Sequence, residues 1–229
     1  MAKLSGQPII CDSSSLISLT DSCFVRALYF LKRRFSGKFF IPPSVEEECV
    51  SRPRRLMQHA MHELRLRRAI NDRVIEVVCS PDRKSTSEVR FLANSTFFAG
   101  GTPLKLLHEG ESEVLALAEE LSVNCILMDE RTTRMMVESP EGLRTLLARE
   151  LRREITINEE NLASFLRLAK GFTFFRSSEL LLLAAEKGFF ADYGELEAEA
   201  VEAALYKLKF AGCSVGFNEI EAYFARKGK

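Results

Sequence analysis

The chain has 229 residues, 46% of them hydrophobic, with 32 Lys and Arg set against 32 Asp and Glu. That apolar fraction suits an ordinary globular core and excludes a disordered chain, while a net charge of zero says nothing by itself about a partner. The opening "MAKLSGQPII" has no apolar leader region, and runs such as "ELLLLAA" fall far short of the roughly 20 residues a bilayer span needs, so a cytoplasmic protein without membrane contact is expected. The six cysteines form no C-x-x-C pair and sit mostly in apolar runs, as small buried hydrophobes in a reducing compartment do, rather than as a disulfide frame or a zinc site.

"QPIIC" is a continuous apolar run that reads as a buried strand, and it ends abruptly on Asp12. Asp12 can be the N-cap of the helix that begins near Ser15, or a carboxylate at the end of a strand where open parallel sheets bind ligands. A dehalogenase-type phosphatase would need a second acid where the chain has Ser14, and a receiver domain would need an acidic pair where only Asp12 stands. A helical pattern then covers residues 14–35.

In "IPPSVEEECV", Ser44 and Glu47 have the spacing of a capping box. Glu48, three residues after Val45, should share the stripe that faces the sheet, where a carboxylate is costly unless paired or bound to a cation, and Glu46 should face water. The helix continues into an arm broken at Pro53. Residues 52–73 carry seven Arg against Glu63 and Asp72, six of them in two clusters: Arg52, Arg54 and Arg55, then Arg65, Arg67 and Arg68. His59 and His62 are one helical turn apart with no third ligand near, and are expected to be exposed.

"RVIEVVCS" reads as a second strand, and "FFAGGTP" (residues 97–103) is only a weak match to the Gly-rich phosphate loop a phosphatase would use. Residues 106–130 carry seven acids and no Lys or Arg. Beside the basic arm, this segment is either a solvated helix face or one wall of an acidic pocket suited to cutting a polyanion with metal ions. On the helix "GESEVLALAEEL", Glu111 lies about 50° from the centre of the apolar arc and Glu113 about 110°, so Glu111 is the expected inward ligand. Glu111 and Glu113 can both also be read as charges complementing the helix N-terminus. "VNCILMD" is a third strand ending on Asp129, followed by Glu130; taken alone, Asp129 too could be an N-cap. Beyond residue 139 the chain reads as mostly helical, with strands at "REITIN" and "FTFFR". Strands alternating with helices argue for an α/β fold with a parallel sheet covered on both faces.

Four segments, D-S-S-x-L-I at residues 12–17, I-P-P-S-V-x-x-E ending at Glu48, G-E-x-E-x-L-A-L-A at 110–118 and L-x-D-E-x-x-x-R at 127–134, resemble in order and context the four acidic motifs of PIN-domain nucleases. The tail "FTFFRSSELLLLAAEKGFF" is similar to the closing strand and helix of archaeal and bacterial PIN-like proteins. The resemblance, which runs from about Pro8 to Phe190, implies a three-layer sandwich of four to five parallel strands; with no internal repeat or Gly/Ser linker, one domain over residues 1–229 is expected, with the arm at 52–72 and a helical insertion at 139–171. It also implies that Asp12, Glu48, Glu111 and Asp129 line one metal pocket, with Ser14, Glu113 and Glu130 in secondary roles. Such clustered carboxylates need a cation to stay ionised together, and all-oxygen ligation suits Mg²⁺ or Mn²⁺. The expectation is a metal-dependent endonuclease acting on RNA, whose backbone the six arm arginines would contact. The alternative is a PIN-like scaffold that binds RNA or a protein partner with little turnover. The third acid is often Asp in the family, and the arm and the insertion are departures from its small members. Residues 195–212 promise an apolar helical face through which a homodimer could form.

Overall fold

The computed structural model describes residues 6–35, 37–51 and 60–227. The first strand, β1 (Ile9–Cys11), is buried at all three positions, as a strand covered on both faces must be. The helical pattern that follows is two helices, α1 (Ser13–Asp21) and α2 (Arg26–Phe35), because Cys23 adopts a left-handed φ of 67° that an α-helix cannot contain. β2 (Phe39–Ile41), which the sequence reading does not single out, is followed at once by Pro42 and Pro43.

Pro43 then starts α3 (Pro43–Glu46), which passes directly into a π-helical turn, Glu47–Ser51. After the undescribed stretch come α4 (Ala60–Asn71), β3 (Ile75–Val77) and α5 (Arg83–Asn94). The chain continues through β4 (Phe97–Ala99), β5 (Thr102–Pro103), α6 (Glu109–Glu120), β6 (Cys125–Leu127) and α7 (Arg131–Glu138). The C-terminal part holds α8 (Pro140–Leu151), β7 (Ile155–Ile157), α9 (Glu159–Leu168), β8 (Thr173–Phe175), α10 (Ser177–Glu186), α11 (Glu197–Phe210) and α12 (Phe217–Lys227).

Five strands form one sheet in the order β3-β2-β1-β6-β8, every neighbouring pair parallel. The fold is therefore α/β with a central parallel five-stranded sheet flanked by helices, and its core includes Ile10, Leu16, Leu115, Ile126 and Leu127, all fully buried. Because β1 is central, Asp12 and Asp129 emerge on adjacent strands: Cys11 pairs with Leu127, and the Asp12 N–H donates to the Leu127 carbonyl at 2.9 Å.

A second sheet, β5-β4-β7, is antiparallel. It explains "FFAGGTP": Gly100 and Gly101, with φ of 57° and 80°, make the two-residue turn between β4 and β5, so the glycines close a hairpin and do not cradle a phosphate. Residues 139–171 supply α8, β7 and α9, and they are joined to the rest through the β4–β7 pairing and an Asn161 side-chain bond to the Ser95 carbonyl. The apolar face of α11 is spent inside the protomer, where Val201, Ala204, Leu205 and Leu208 are buried and the helix packs on α10 and α1, while Phe210 is left exposed. All six cysteines are free, four of them buried. Among the described residues no helix is long and apolar enough to cross a membrane.

Candidate functional site

Each helix that follows a strand of the parallel sheet begins at the carboxyl edge, and the candidate acids gather there. Asp12 is 2% exposed and serves as the N-cap of α1: its Oδ2 accepts the Ser14 backbone N–H at 3.0 Å and the Ser14 hydroxyl at 2.5 Å. Cap and buried acid are thus one residue, not alternatives. Its carboxyl is pushed up to about 7, first by burial and then by the charges of Glu111 and Glu48, against the lowering effect of the Ser14 bonds.

Asp129, also 2% exposed, is not a helix cap; that task falls to Glu130, whose carboxylate accepts the Thr132 and Thr133 N–H groups. Asp129 is held by residues that sequence reasoning did not single out. Ser177, just past β8, donates its N–H to Oδ1 at 2.7 Å and its hydroxyl to Oδ2 at 2.6 Å, and Ser214 donates to the Asp129 carbonyl at 2.7 Å. The signal for Ser177 was available: like Asp12, it opens a helix immediately beyond an apolar strand. Ser214 also accepts from Arg134, and Arg176 beside it pairs with Glu179 and Glu219, which ties α12 to the rim of the site.

The second motif is arranged differently from expectation. The N-cap of α3 is Pro42, and Ser44 Oγ is buried without a hydrogen-bond partner, so the Ser44–Glu47 capping box does not form. Glu48 is exposed although Val45 is fully buried. The i, i+3 argument assumed α-helical phase, and the wider π turn rotates Glu48 off that stripe while it buries Cys49 and Val50. Glu48 nevertheless faces the third motif: its Oε2 lies 3.4 Å from where a Cβ on Gly110 would stand, room that the glycine provides.

In the third motif both glutamates line the cleft, and Glu111, whose charge acts on Asp12, also serves in the helix cap. Glu111 Oε2 accepts the His108 N–H at 2.9 Å as the N3 member of a capping box, and its carboxyl is raised, chiefly by burial. Glu113 Oε2 is buried with no hydrogen-bond partner. The arc does not separate the two because α6 is buried on more than one side, packed against β1, α3 and α5, so Ser112 and Ala116 are buried along with the apolar stripe.

Glu48, Glu111 and Glu113 border a cleft of about 1060 Å³ that also reaches Ser80, Arg90, Phe91, Lys105 and His108. Among the described residues no three His, Cys, Asp or Glu side chains converge closely enough to hold one ion together. The donor set itself fits a hard divalent cation. It offers only carboxylate oxygens, one of them (Glu113 Oε2) buried and unpartnered, and it includes a buried Asp12 whose ionisation is opposed until a positive charge arrives.

The described part of the basic arm does not share this edge. Arg52, Arg54, Arg55 and His59 lie outside the described residues. Arg65, Arg67 and Arg68 sit in the second half of α4, which runs on into the start of β3, and so lie towards the amino edge of the sheet. There Arg65 donates to the Thr20 carbonyl at 2.6 Å, Arg67 pairs with Glu63 at 3.0 Å, and Arg68 pairs with Asp72 at 3.5 Å. His62 is half-buried and paired with Asp21, not free in solvent.

Comparison with curated proteins and with solved structures returned no match. A family model described as a PIN domain matches residues 8–146, more than half of the chain, and it spans all four acidic motifs and four of the five parallel strands. The chain belongs to the PIN-domain family, whose members are generally nucleases that use divalent metal ions.

Proposed function

We propose that the protein is a metal-dependent endoribonuclease that hydrolyses phosphodiester bonds at the carboxyl edge of the sheet, with Mg²⁺ or Mn²⁺ held by Asp12, Asp129, Glu48 and the Glu111–Glu113 pair. The observation that carries the reading is the pair of buried carboxylates on adjacent strand ends, each positioned by a serine, beside a buried and unpartnered oxygen of Glu113. When bound, the cation supplies charge neutralisation at the scissile phosphate and a water of lowered pKa.

The chain's own residues prepare that chemistry. Ser14 fixes the Asp12 carboxylate through Oδ2 and leaves Oδ1 without a hydrogen bond among the described residues. Ser177 orients Asp129, and each Asp129 oxygen still has lone-pair capacity beyond the one bond it accepts. Glu113 contributes negative charge on the side facing the cleft. Together they make a preorganised anionic surface that a phosphodiester can approach only with a cation present. RNA is the preferred substrate on family grounds, and single-stranded or looped RNA can present an unstacked backbone to such an edge.

A second reading is a polynucleotide- or protein-binding scaffold with little turnover. It is favoured by one observation, that the Ser177 bonds already engage both oxygens of Asp129. Incubation of the purified chain with end-labelled single-stranded RNA and DNA, with Mn²⁺, Mg²⁺ or EDTA, separates the two. Cleavage of RNA that needs the metal and is lost in Asp129→Asn supports the nuclease; binding with no metal-dependent cleavage supports the scaffold.

A further inference from the structure

We propose that the cleft beside the acids is the track of a single-stranded polynucleotide, with Arg90 and Lys105 as its phosphate contacts and Phe91 as the platform for one base. The proposal rests on the nuclease reading, because it takes the acids as the place where the strand is cut.

Carboxylates and cations share the walls of the cleft. Glu48, Glu111 and Glu113 line it, and Arg90 on α5 and Lys105, between β5 and α6, line it too. Both cations are exposed, and neither makes an ion pair or hydrogen bond among the described residues. By contrast, Arg65, Arg67, Arg134, Arg144 and Arg176 are each tied to a protein partner. Two cations that share one depression with several carboxylates, and yet are not neutralised by them, leave positive potential for an anion that enters from outside.

Phe91 supplies the second requirement. Its ring is 64% exposed, next in sequence to Arg90, and borders the same cleft. It falls outside the apolar face of α5, where Thr86, Val89 and Ala93 are buried. A phosphate alone would use the cations and leave the ring in water, and an apolar ligand would use the ring and leave the cations unpaired. A single-stranded polynucleotide uses both, because its backbone carries a charge at every residue and its unstacked bases lie flat on aromatic rings. A duplex would keep its bases stacked on one another and could not use Phe91. The track thus runs from α5 and Lys105 towards the acids of α6, and Arg90 and Lys105 are positioning residues for the scissile strand.

The test is binding of a fluorescein-labelled oligouridylate to the full chain, followed by anisotropy over a salt series in Ca²⁺, with the probe shown to remain intact. Arg90→Ala with Lys105→Ala should weaken binding at least tenfold and flatten the log-log salt slope by about 1.4, the share of two single-strand phosphates. Phe91→Ala should weaken binding roughly fivefold or more without a change of slope, and Phe91→Tyr should restore it. Inorganic polyphosphate should compete in a manner that depends on Arg90 and Lys105 and not on Phe91. Wild-type affinity and slope in the double variant would overturn the proposal even if the enzyme cleaves RNA, as would failure of the wild type to bind the oligonucleotide. Arg90- and Lys105-dependent binding without any metal-dependent cleavage would instead sustain the track and defeat the nuclease reading.

Discussion

Asp12 and Asp129 share a hydroxyl: Ser14 Oγ donates to Asp12 Oδ2 at 2.5 Å and accepts the Asp129 backbone N–H at 3.0 Å. The same oxygen also lies 3.1 Å from the Glu130 N–H, so one side chain couples the ends of two adjacent strands. Ser14→Ala would leave these groups short of partners in a largely buried place and should destabilise the protein by about 1–3 kcal/mol, as measured by urea denaturation. Ser14→Thr, which keeps the hydroxyl, should recover most of that loss. An alanine variant as stable as wild type would show that the coupling carries no energy.

The raised carboxyl of Asp12 gives a signed pH dependence. Its pKa moves from the ordinary 3.8 to about 7 on folding, so between those values the folded state binds a proton that the unfolded state has released. Stability from this group is complete below about pH 4 and is lost as pH rises to about 7. Thermal unfolding in EDTA should therefore show the midpoint falling over that window, and Asp12→Asn should remove this contribution to the fall and equal or exceed the wild-type midpoint at neutral pH. A wild-type profile that rises over the same window, or an unchanged one in the variant, would contradict the burial of an ionisable Asp12.

Glu113 and Glu111 should separate under substitution. Glu113→Gln removes the charge of the unpartnered buried oxygen and should cost RNA cleavage by tenfold or more with little loss of stability. Glu111→Ala deletes the bond to the His108 N–H and should cost about 1 kcal/mol through the lost capping box, while Glu111→Gln keeps an acceptor and should be milder in both respects. Cleavage rates and unfolding midpoints on the three variants check the assignment. A larger loss of cleavage in Glu111→Gln than in Glu113→Gln would instead bear out the ranking that the helical arc suggested.

The described part of the basic arm should prove structural. Arg65→Ala breaks the contact to Thr20 that pins α4 to α1, and Arg67→Ala breaks an ion pair with Glu63 within α4, so both should lower the unfolding midpoint. Because these side chains lie towards the amino edge, the salt slope of oligonucleotide binding should stay at its wild-type value. A slope flattened by about 0.7 per lost arginine would put the arm back in contact with the backbone.

What was legible in the sequence follows from how local each signal is. Buried strands such as "QPIIC" and "VNCILMD" announce themselves by continuous apolar runs, and with them the strand-end positions of Asp12 and Asp129. β2 went unread although its three residues are as apolar as those of β1, because Pro42 and Pro43 follow at once, and the second sheet was hidden because β4 and β7 pair across more than 50 residues of chain. Side-chain direction was the weakest inference. It assumed an ideal helix at Glu48, where a π turn intervenes, and a one-sided helix at Glu111 and Glu113, where α6 is enclosed by several neighbours. The bonds that join the Ser14 and Ser177 hydroxyls to Asp129 span 115 and 48 residues of the chain, which no window of sequence contains.

Calorimetric titration of Mn²⁺ into the metal-free chain at neutral pH, alongside Asp12→Asn and Asp129→Asn, tests the account most directly. The account predicts saturable binding by the wild type with release of protons, because Asp12 must ionise to accept the cation, and loss of that binding in both variants. Wild-type Mn²⁺ affinity in Asp12→Asn and Asp129→Asn, or no binding by the wild type itself, would contradict a metal centre at the ends of these two strands.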